Sequence, residues 1–329
     1  MALVTDAPAR RGTLLAPTTP FRRVPRMRRR LGVVAIIVSA TAMGFSGVFG
    51  RLATPPGAVL GEALTLGRML VGAVGVLVLL AFSRRLSLLR QVRMSWSVVL
   101  GGVFLGLSLA TYLSATVLTD LARAVALHYL GPVIATVLAR ALLKERLSRG
   151  ETVSMVTSFL GMMLASGLVD GASPTGSEQQ LLGDGLAAAS GVLYGLALLC
   201  YRYRSDMPAD VRSFWNFLFG TLAVGGMVVL TRPDVSGMTA AHWAWAAAFF
   251  LVCGLLALGL LVVAGKHLRA VELSALSYWE VVVAMLLGAA VYAEGVSLLA
   301  TIGAVAIVIA AVVPLRTRHR VTREASPSR

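Results

Sequence analysis

Three ionisable side chains sit inside apolar runs of this chain: Glu280, Arg68 and His128. A charge at the centre of an apolar helix costs roughly 2.5–3.5 kcal/mol on insertion scales, so it faces a bundle interior or a wet cavity. Glu280 lies about nine residues into the run 271–292, or about 14 Å along a helix rising 1.5 Å per residue. That is near the middle of a hydrocarbon layer about 30 Å thick. A carboxylate at that depth can carry a proton or meet an ammonium group. It can equally serve as a structural partner for another helix. Arg68 falls roughly a turn from the outer end of the run 64–82. Its guanidinium can grip a carboxylate through two parallel bonds, act as a structural or gating contact, or snorkel to the interface. Glu62, just upstream, pairs with Arg68 only if the helix starts late. His128 suits proton chemistry, although a neutral imidazole bonded between helices is the simpler reading.

Polar aromatic and hydroxyl groups stand close to these charges in the sequence. Tyr129 follows His128, and Ser277, Tyr278 and Trp279 precede Glu280. Tyr112 and Ser108 lie in another run. Together around Glu280 they form a pocket hypothesis for an apolar or amino-acid-like ligand. Gly131 and Pro132 mark a helix break: proline has no N–H, so the carbonyl of His128 loses its helical partner. At membrane depth a freed carbonyl is tolerated where it lines a cavity. No HExxH, P-loop, GxSxG or dinucleotide fingerprint occurs. The four histidines, at 128, 242, 267 and 319, have no paired metal spacing, and Cys200 and Cys253 form no CxxC pair. Neither enzyme chemistry, a cofactor nor a metal is indicated.

These groups need elements to hold them, and composition says which. Hydrophobic residues make up 57% of the chain and charged residues 14%, with mean hydropathy +0.81; soluble domains carry about 25% charged residues. The charge lies in short clusters between apolar runs of bilayer-spanning length. The expected fold is all-α, a polytopic membrane protein with ten transmembrane helices near 32–50, 64–82, 97–117, 121–143, 152–169, 182–201, 214–230, 243–263, 271–292 and 298–314. Residues 1–30 read as a disordered basic tail rather than a signal peptide, because the apolar run continues past the Ala40-Thr41-Ala42 site. Residues 170–181 read as a polar outer linker, and 315–329 as a second basic tail. The net charge of +15 would suit nucleic acid, but the arginines cluster in alternate loops and both tails. That is the pattern of cytoplasmic loops, so no nucleic-acid partner is expected. With both termini inside, the outer loops hold little more than Arg51, Arg123 and Arg232. Arg140 is placed to snorkel to the cytoplasm, and Trp243 and Trp245 read as interfacial belt residues.

The chain also repeats itself. A shift of 149 carries Ala126, Tyr129, Val133, Glu145 and Ser148 onto Ala275, Tyr278, Val282, Glu294 and Ser297. A shift of 151 carries Ser39, Gly44 and Arg51 onto Ser190, Gly195 and Arg202. The units are 31–169 and 182–314. Five spans per unit is an odd number, so the two would cross the membrane in opposite senses. Inverted repeats of this kind characterise secondary transporters with a midplane site. Gly47, and Gly195 beside Tyr194, are read as helix packing first and hinges second. Lys144, Glu145, Arg146 and Glu294 are read as interface and loop anchors.

On several local patterns the chain resembles the EamA-type permeases of the drug/metabolite transporter superfamily: Leu66-Gly67-Arg68 in the second span, Ala122–Ser148 with its Pro132 and Lys144-Glu145-Arg146, and Gly183-Asp184 opening the sixth. The family's Glu-Pro pair in span nine is here Glu280-Val281, so no proline imposes a break there. The resemblance implies a carrier of small organic solutes, such as amino acids, metabolites or drugs, and commonly an exporter. An ion gradient or counter-substrate would drive it, since no nucleotide motif is present. The partners expected are a small solute, the lipid bilayer and a proton or counter-substrate, with a homodimer left open. A bacterial inner membrane suits the composition. The alternatives are a channel or assembly protein and, less favoured, a membrane-embedded lipid-modifying enzyme.

Overall fold

In the computed structural model, residues 26–92, 94–142, 149–165, 177–203, 207–268, 273 and 276–309 are described. Among them every regular element is helical. The first half holds α1 (Arg26–Gly44), α2 (Ser46–Leu52), α3 (Gly61–Phe82), a short α4 (Ser87–Gln91), α5 (Trp96–Leu118), α6 (Leu121–His128), α7 (Leu130–Leu142) and α8 (Arg149–Ala165). The second half holds α9 (Glu178–Tyr203), α10 (Ala209–Thr231) and α11 (Ala240–Phe249). A π-helical stretch, Phe250–Leu256, joins α11 to α12 (Ala257–His267), and α13 (Trp279–Tyr292) follows. The last described helix is α14 (Leu298–Ile309).

Each expected span overlaps a helix among the described residues, but the lengths differ. Seven helical stretches among the described residues are long and apolar enough to cross a membrane: Arg29–Leu52, Gly61–Phe82, Trp96–Leu118, Leu121–Leu142, Glu178–Tyr201, Ala209–Thr231 and Ala240–Gly265. Trp279–Tyr292 and Leu298–Ile309 are shorter apolar helices, and α8 has 17 residues. Helix α1 starts at Arg26, inside the stretch read as a tail. Of the linker read at 170–181, residues 170–176 lie outside the described residues and 178–181 already belong to α9; the Lys144-Glu145-Arg146 cluster and most of the two tails also lie outside the described residues.

Local sequence explains the boundaries. Pro55 and Pro56 lie in the turn between α2 and α3. Arg232 takes a left-handed conformation (φ 47°) to end α10 just before Pro233. Thr239 and His242 form a reciprocal cap at the start of α11, which satisfies backbone donors left open at a helix N-terminus. That accounts for one of the scattered histidines.

The packing pairs the halves with each other. Helix α5 lies against α9 and α10, while α1 lies against α12 and α3 against the π stretch. Helices α6 and α7 pack on α9 as α13 packs on α1 and α2, and α3 meets α10 as α6 meets α13. Exchanging the halves maps this set of helix pairs onto itself. Two buried hydrogen bonds follow the same rule. Ser39 Oγ donates to Ala257 O at 2.6 Å, and Ser108 Oγ donates to Ser190 O at 2.8 Å. Ser39 and Ser190 are partners in the 151-residue shift. Bonds of this type between membrane helices contribute about 0.6 kcal/mol each, so they fix register more than they hold the halves together.

Close backbone approach does more of the holding. A Cβ on Gly106 of α5 would lie 2.7 Å from the Cα of Gly220 on α10. Small residues allow such contacts, and dispersion then drives helix association in lipid. The outward surfaces carry Leu70, Val74, Leu222, Val229 and Leu251, all exposed, as a hydrocarbon surrounding requires. Gly106→Val should force α5 and α10 apart and cost about 1–3 kcal/mol of stability. A lower melting temperature in detergent, read by size-exclusion of heated samples, is the expected result; an unchanged one would remove this contact as a determinant.

Candidate functional site

Two helix breaks place the site. Pro132 supplies no N–H, so the helix stops at His128, turns at Tyr129 (φ −75°, ψ 5°) and restarts at Leu130. The equivalent helix breaks too, although it contains no proline. Tyr278 (φ −62°, ψ −13°) forms a turn just ahead of Trp279. Tyr129 and Tyr278 are partners in the 149-residue shift. Their rings meet, with centroids 5.4 Å apart.

At this meeting point Tyr129 Oη donates to Glu280 Oε2 at 2.6 Å and approaches Ser277 O at 3.4 Å. Glu280 is 8% exposed, so this bond runs from one half to the other well inside the bundle. His128 lies between Tyr112 and Tyr194, with ring centroids 4.7 Å away on each side. Its Nδ1 is 3.0 Å from Ser190 Oγ. The Ser190 hydroxyl donates to Ala187 O at 2.7 Å; with its one proton used there, the imidazole donates from Nδ1 and keeps Nε2 as an acceptor. A Cβ on Gly191 would overlap Leu127 O and lie 3.2 Å from His128 O. The absent side chain lets α9 approach the carbonyls at the break.

Arg68 is the unusual member. It is 2% exposed, which rules out the snorkelling reading. Its Nη2 contacts Met43 Sδ at 3.0 Å, and its Cζ lies 5.3 Å from the centre of the Phe249 ring, within cation–π range. Its Nε has no hydrogen-bond partner. Glu62 does not serve it, because that carboxylate accepts from Thr231 Oγ1 at 3.1 Å instead. Among the ion pairs of the described residues there is none between Arg68 and Glu280. A guanidinium buried with so few partners is costly, since burial alone is worth several kcal/mol per ion. An orphaned buried donor marks a place where an anionic group would be stabilised. Gly254 of the π stretch packs directly on Arg68 Cγ. Widened π turns of this kind recur at functional sites.

Of the residues singled out in the sequence, Glu280, Tyr278, Tyr129, His128 and Tyr112 come together. Arg68 is buried among Met43, Phe249 and Gly254 instead. Trp279 packs against the tyrosine cluster, but the polar groups of the remaining candidates bond elsewhere. Ser277 Oγ bonds back to Leu273 O within its own helix, and Trp279 Nε1 is used by Thr41 Oγ1 at 3.0 Å. Ser108 is fully buried in the α5–α9 contact. Tyr194, not singled out as a site residue in the sequence, belongs to the cluster as well. So do Ser190 and Ser46, whose hydroxyl is 3.4 Å from Tyr112 Oη. The Ser39–Ser190 match was a signal for Ser190. Nothing in the sequence separated Tyr194 from an ordinary packing aromatic. Among the described residues no group of three or more His, Cys, Asp or Glu could hold a metal ion.

Apolar spans around a buried polar cluster define an integral membrane protein. The EamA-like transporter family model matches residues 30–167 and again 181–315. The chain belongs to that family, and is thereby a membrane transporter built of two EamA repeats. A solved crystal structure matches with a TM-score of 0.66 at 21% identity, covering 90% of this chain and 99% of the other; the likeness is one of fold. No curated protein matches in sequence.

Tyr129→Phe removes the only hydroxyl bonded to Glu280 in the described residues. It should cost about 1–3 kcal/mol, the range for a hydrogen bond to a charged or buried group. Tyr278→Phe, whose hydroxyl makes no such bond, should cost clearly less. Parallel thermal melts of the two purified variants decide this, and equal losses would show that the Tyr129–Glu280 bond contributes little.

Proposed function

We propose that this chain is a secondary transporter of small organic solutes, namely amino acids, related metabolites or drugs, and works as an exporter. Ten spans arranged as two inverted five-helix repeats alternate access to a central cavity. A proton gradient or exchange with a second solute drives the cycle. Residues 31–169 and 182–314 form the two working units. Both termini lie in the cytoplasm, and the membrane is a bacterial inner membrane.

The observation that supports this reading best is the meeting of the halves at the Tyr129 and Tyr278 breaks. There Glu280 is tied to Tyr129, and elsewhere in the bundle Arg68 is buried with no carboxylate partner among the described residues. Transporters place solute sites where broken helices of two repeats face each other near the midplane. A cation site at Glu280 and an anion site at Arg68 suit a solute that carries both charges on a compact apolar frame. Tyr112, Tyr194 and His128 supply stacking faces. Glu280 is also the group placed to exchange a proton during the cycle, as solute binding displaces Tyr129. The symmetry of the packing fits a rocking motion, because an interface that opens on one side of the bundle has an equivalent interface that can close on the other.

The test is counterflow in reconstituted vesicles, with a panel of amphoteric, anionic and cationic metabolites. Amphoteric solutes should exchange. Arg68→Gln should lower kcat/KM for them at least about tenfold, since one charge-assisted bond is worth about 1.5–3 kcal/mol. Glu280→Gln should abolish pH-driven uptake. Absence of counterflow for the whole panel would overturn the proposal, and pH-driven transport by Glu280→Gln would remove the proton role. Accessibility tags inserted after Gly176 and after Met207 should report opposite sides of the membrane; the same side for both would remove the inverted arrangement.

A further inference from the structure

Beyond the central cluster, the ends of α2, α5, α6 and α13 converge on one carboxylate. Helix α13 ends at Ala293, in a left-handed conformation (φ 55°), and the Glu294 N–H returns to Gly288 O at 3.1 Å. This turn folds the Glu294 side chain back over its own helix. Gly288 makes room for it, since a Cβ there would overlap Glu294 Oε2. Glu294 Oε1 then receives Arg51 Nη1 at 2.8 Å. Both carboxylate oxygens also accept from the Leu121 N–H, at 3.2 and 3.1 Å. Leu121 opens α6, where backbone donors lack helical partners and the helix dipole favours a negative charge.

Arg51 is held just as fully. Its Nε and Nη2 donate to Thr116 O at 2.5 Å and Thr119 O at 2.8 Å, the carbonyls at the end of α5. Its guanidinium lies 4.4 Å from the centre of the Tyr292 ring, and Tyr292 Oη reaches Val48 O at 3.4 Å. A second bridge stands beside it: Asp184 of α9 accepts from Thr119 Oγ1 at 2.7 Å and from Arg123 Nη1 at 3.1 Å. Every one of these Glu294 and Asp184 contacts to Arg51, Leu121, Thr119 and Arg123 runs from one repeat to the other. Leu121 precedes Tyr129 by eight residues, about 12 Å of helix. The bridges therefore lie toward one end of the bundle, which in the transporter reading is one mouth of the central cluster.

We propose that Arg51 and Glu294 form a latch that holds this mouth closed, with Asp184 as its second point. The inference rests on the transporter reading above. The energetics suit a latch rather than a permanent clamp. The Arg51 and Glu294 side chains are 18% and 13% exposed, so they are largely desolvated when paired and become hydrated when the halves part. For such a pair the attraction and the desolvation penalty nearly offset each other, which leaves the two states close enough in free energy to exchange.

The test reads access rather than transport. Cys200 and Cys253 are replaced by alanine, and Ser46, beneath the latch and 1% exposed, becomes the reporter through Ser46→Cys. A membrane-impermeant maleimide is applied from the Glu294 side of reconstituted vesicles. Labelling should be slow with the latch intact. Glu294→Gln and Arg51→Gln should each speed it about tenfold, as expected for removing one partner of a part-buried pair. Arg51→Lys keeps the charge but loses the two carbonyl bonds, and should fall between. The reversed pair Arg51→Glu with Glu294→Arg should return labelling toward the slow rate, and a normal size-exclusion profile confirms that each variant is folded. Equal labelling rates across the set would overturn the latch even if counterflow is intact. Faster labelling in a protein that shows no counterflow would keep the latch and overturn transport instead.

Discussion

Inside a bilayer no water is at hand, so every polar group at depth must find its partner within the protein. That constraint organises this molecule. Glu280 finds Tyr129 across the boundary between the halves. His128 finds Ser190, and Ser39 and Ser108 find carbonyls on facing helices. Against this background Arg68 stands out, because among the described residues only a thioether and an aromatic face meet its guanidinium. Trp215 Nε1 and Asn216 Oδ1 are also buried without a hydrogen-bond partner among the described residues, but of these three side chains only Arg68 carries a charge.

The same constraint explains where the helices break. A break frees backbone groups, and those are tolerable only next to a cavity or a close neighbour. At Tyr129 the neighbour is α9, admitted by the missing side chain of Gly191. At Tyr278 the break occurs without proline, so the tertiary setting imposes it rather than the chain's own chemistry. The two breaks carry the same residue at matched positions and bring the two rings into contact. In the transport cycle proposed above, a solute between them would touch both halves at once. Its binding energy would then bias one arrangement of the halves over another, which is what coupling between site and motion requires.

The ends of the bundle are built differently. There the ion pairs Arg51–Glu294, Arg123–Asp184 and Arg85–Asp210 join elements far apart in the chain. They are part-buried and can rehydrate, so they are suited to forming and breaking. The apolar and glycine-mediated contacts of the middle, such as Gly106 on Gly220, have no such alternative and are suited to persisting.

The sequence by itself determined the class, the helices and the repeat. Apolar runs of membrane length and clustered arginines leave few other structures open. Tyr129, Tyr278 and Glu280 stood out because a polar residue in an apolar run is conspicuous, and because two tyrosines kept one spacing. Pro132 announced its own break. Tertiary structure alone decided the partners. Glu280 lies 151 residues from Tyr129 and Glu294 lies 243 from Arg51, and no local pattern carries such pairings. Glu62 turned to Thr231 rather than to its near neighbour Arg68. Tyr194 joined the cluster, while the side-chain polar groups of Ser277 and Trp279 bond to Leu273 and Thr41 instead. The reason is physical: a helix apolar on all sides carries little information about which face meets which neighbour. Its rotation is set by close packing against helices far away in the chain, and that rotation decides which polar side chains meet.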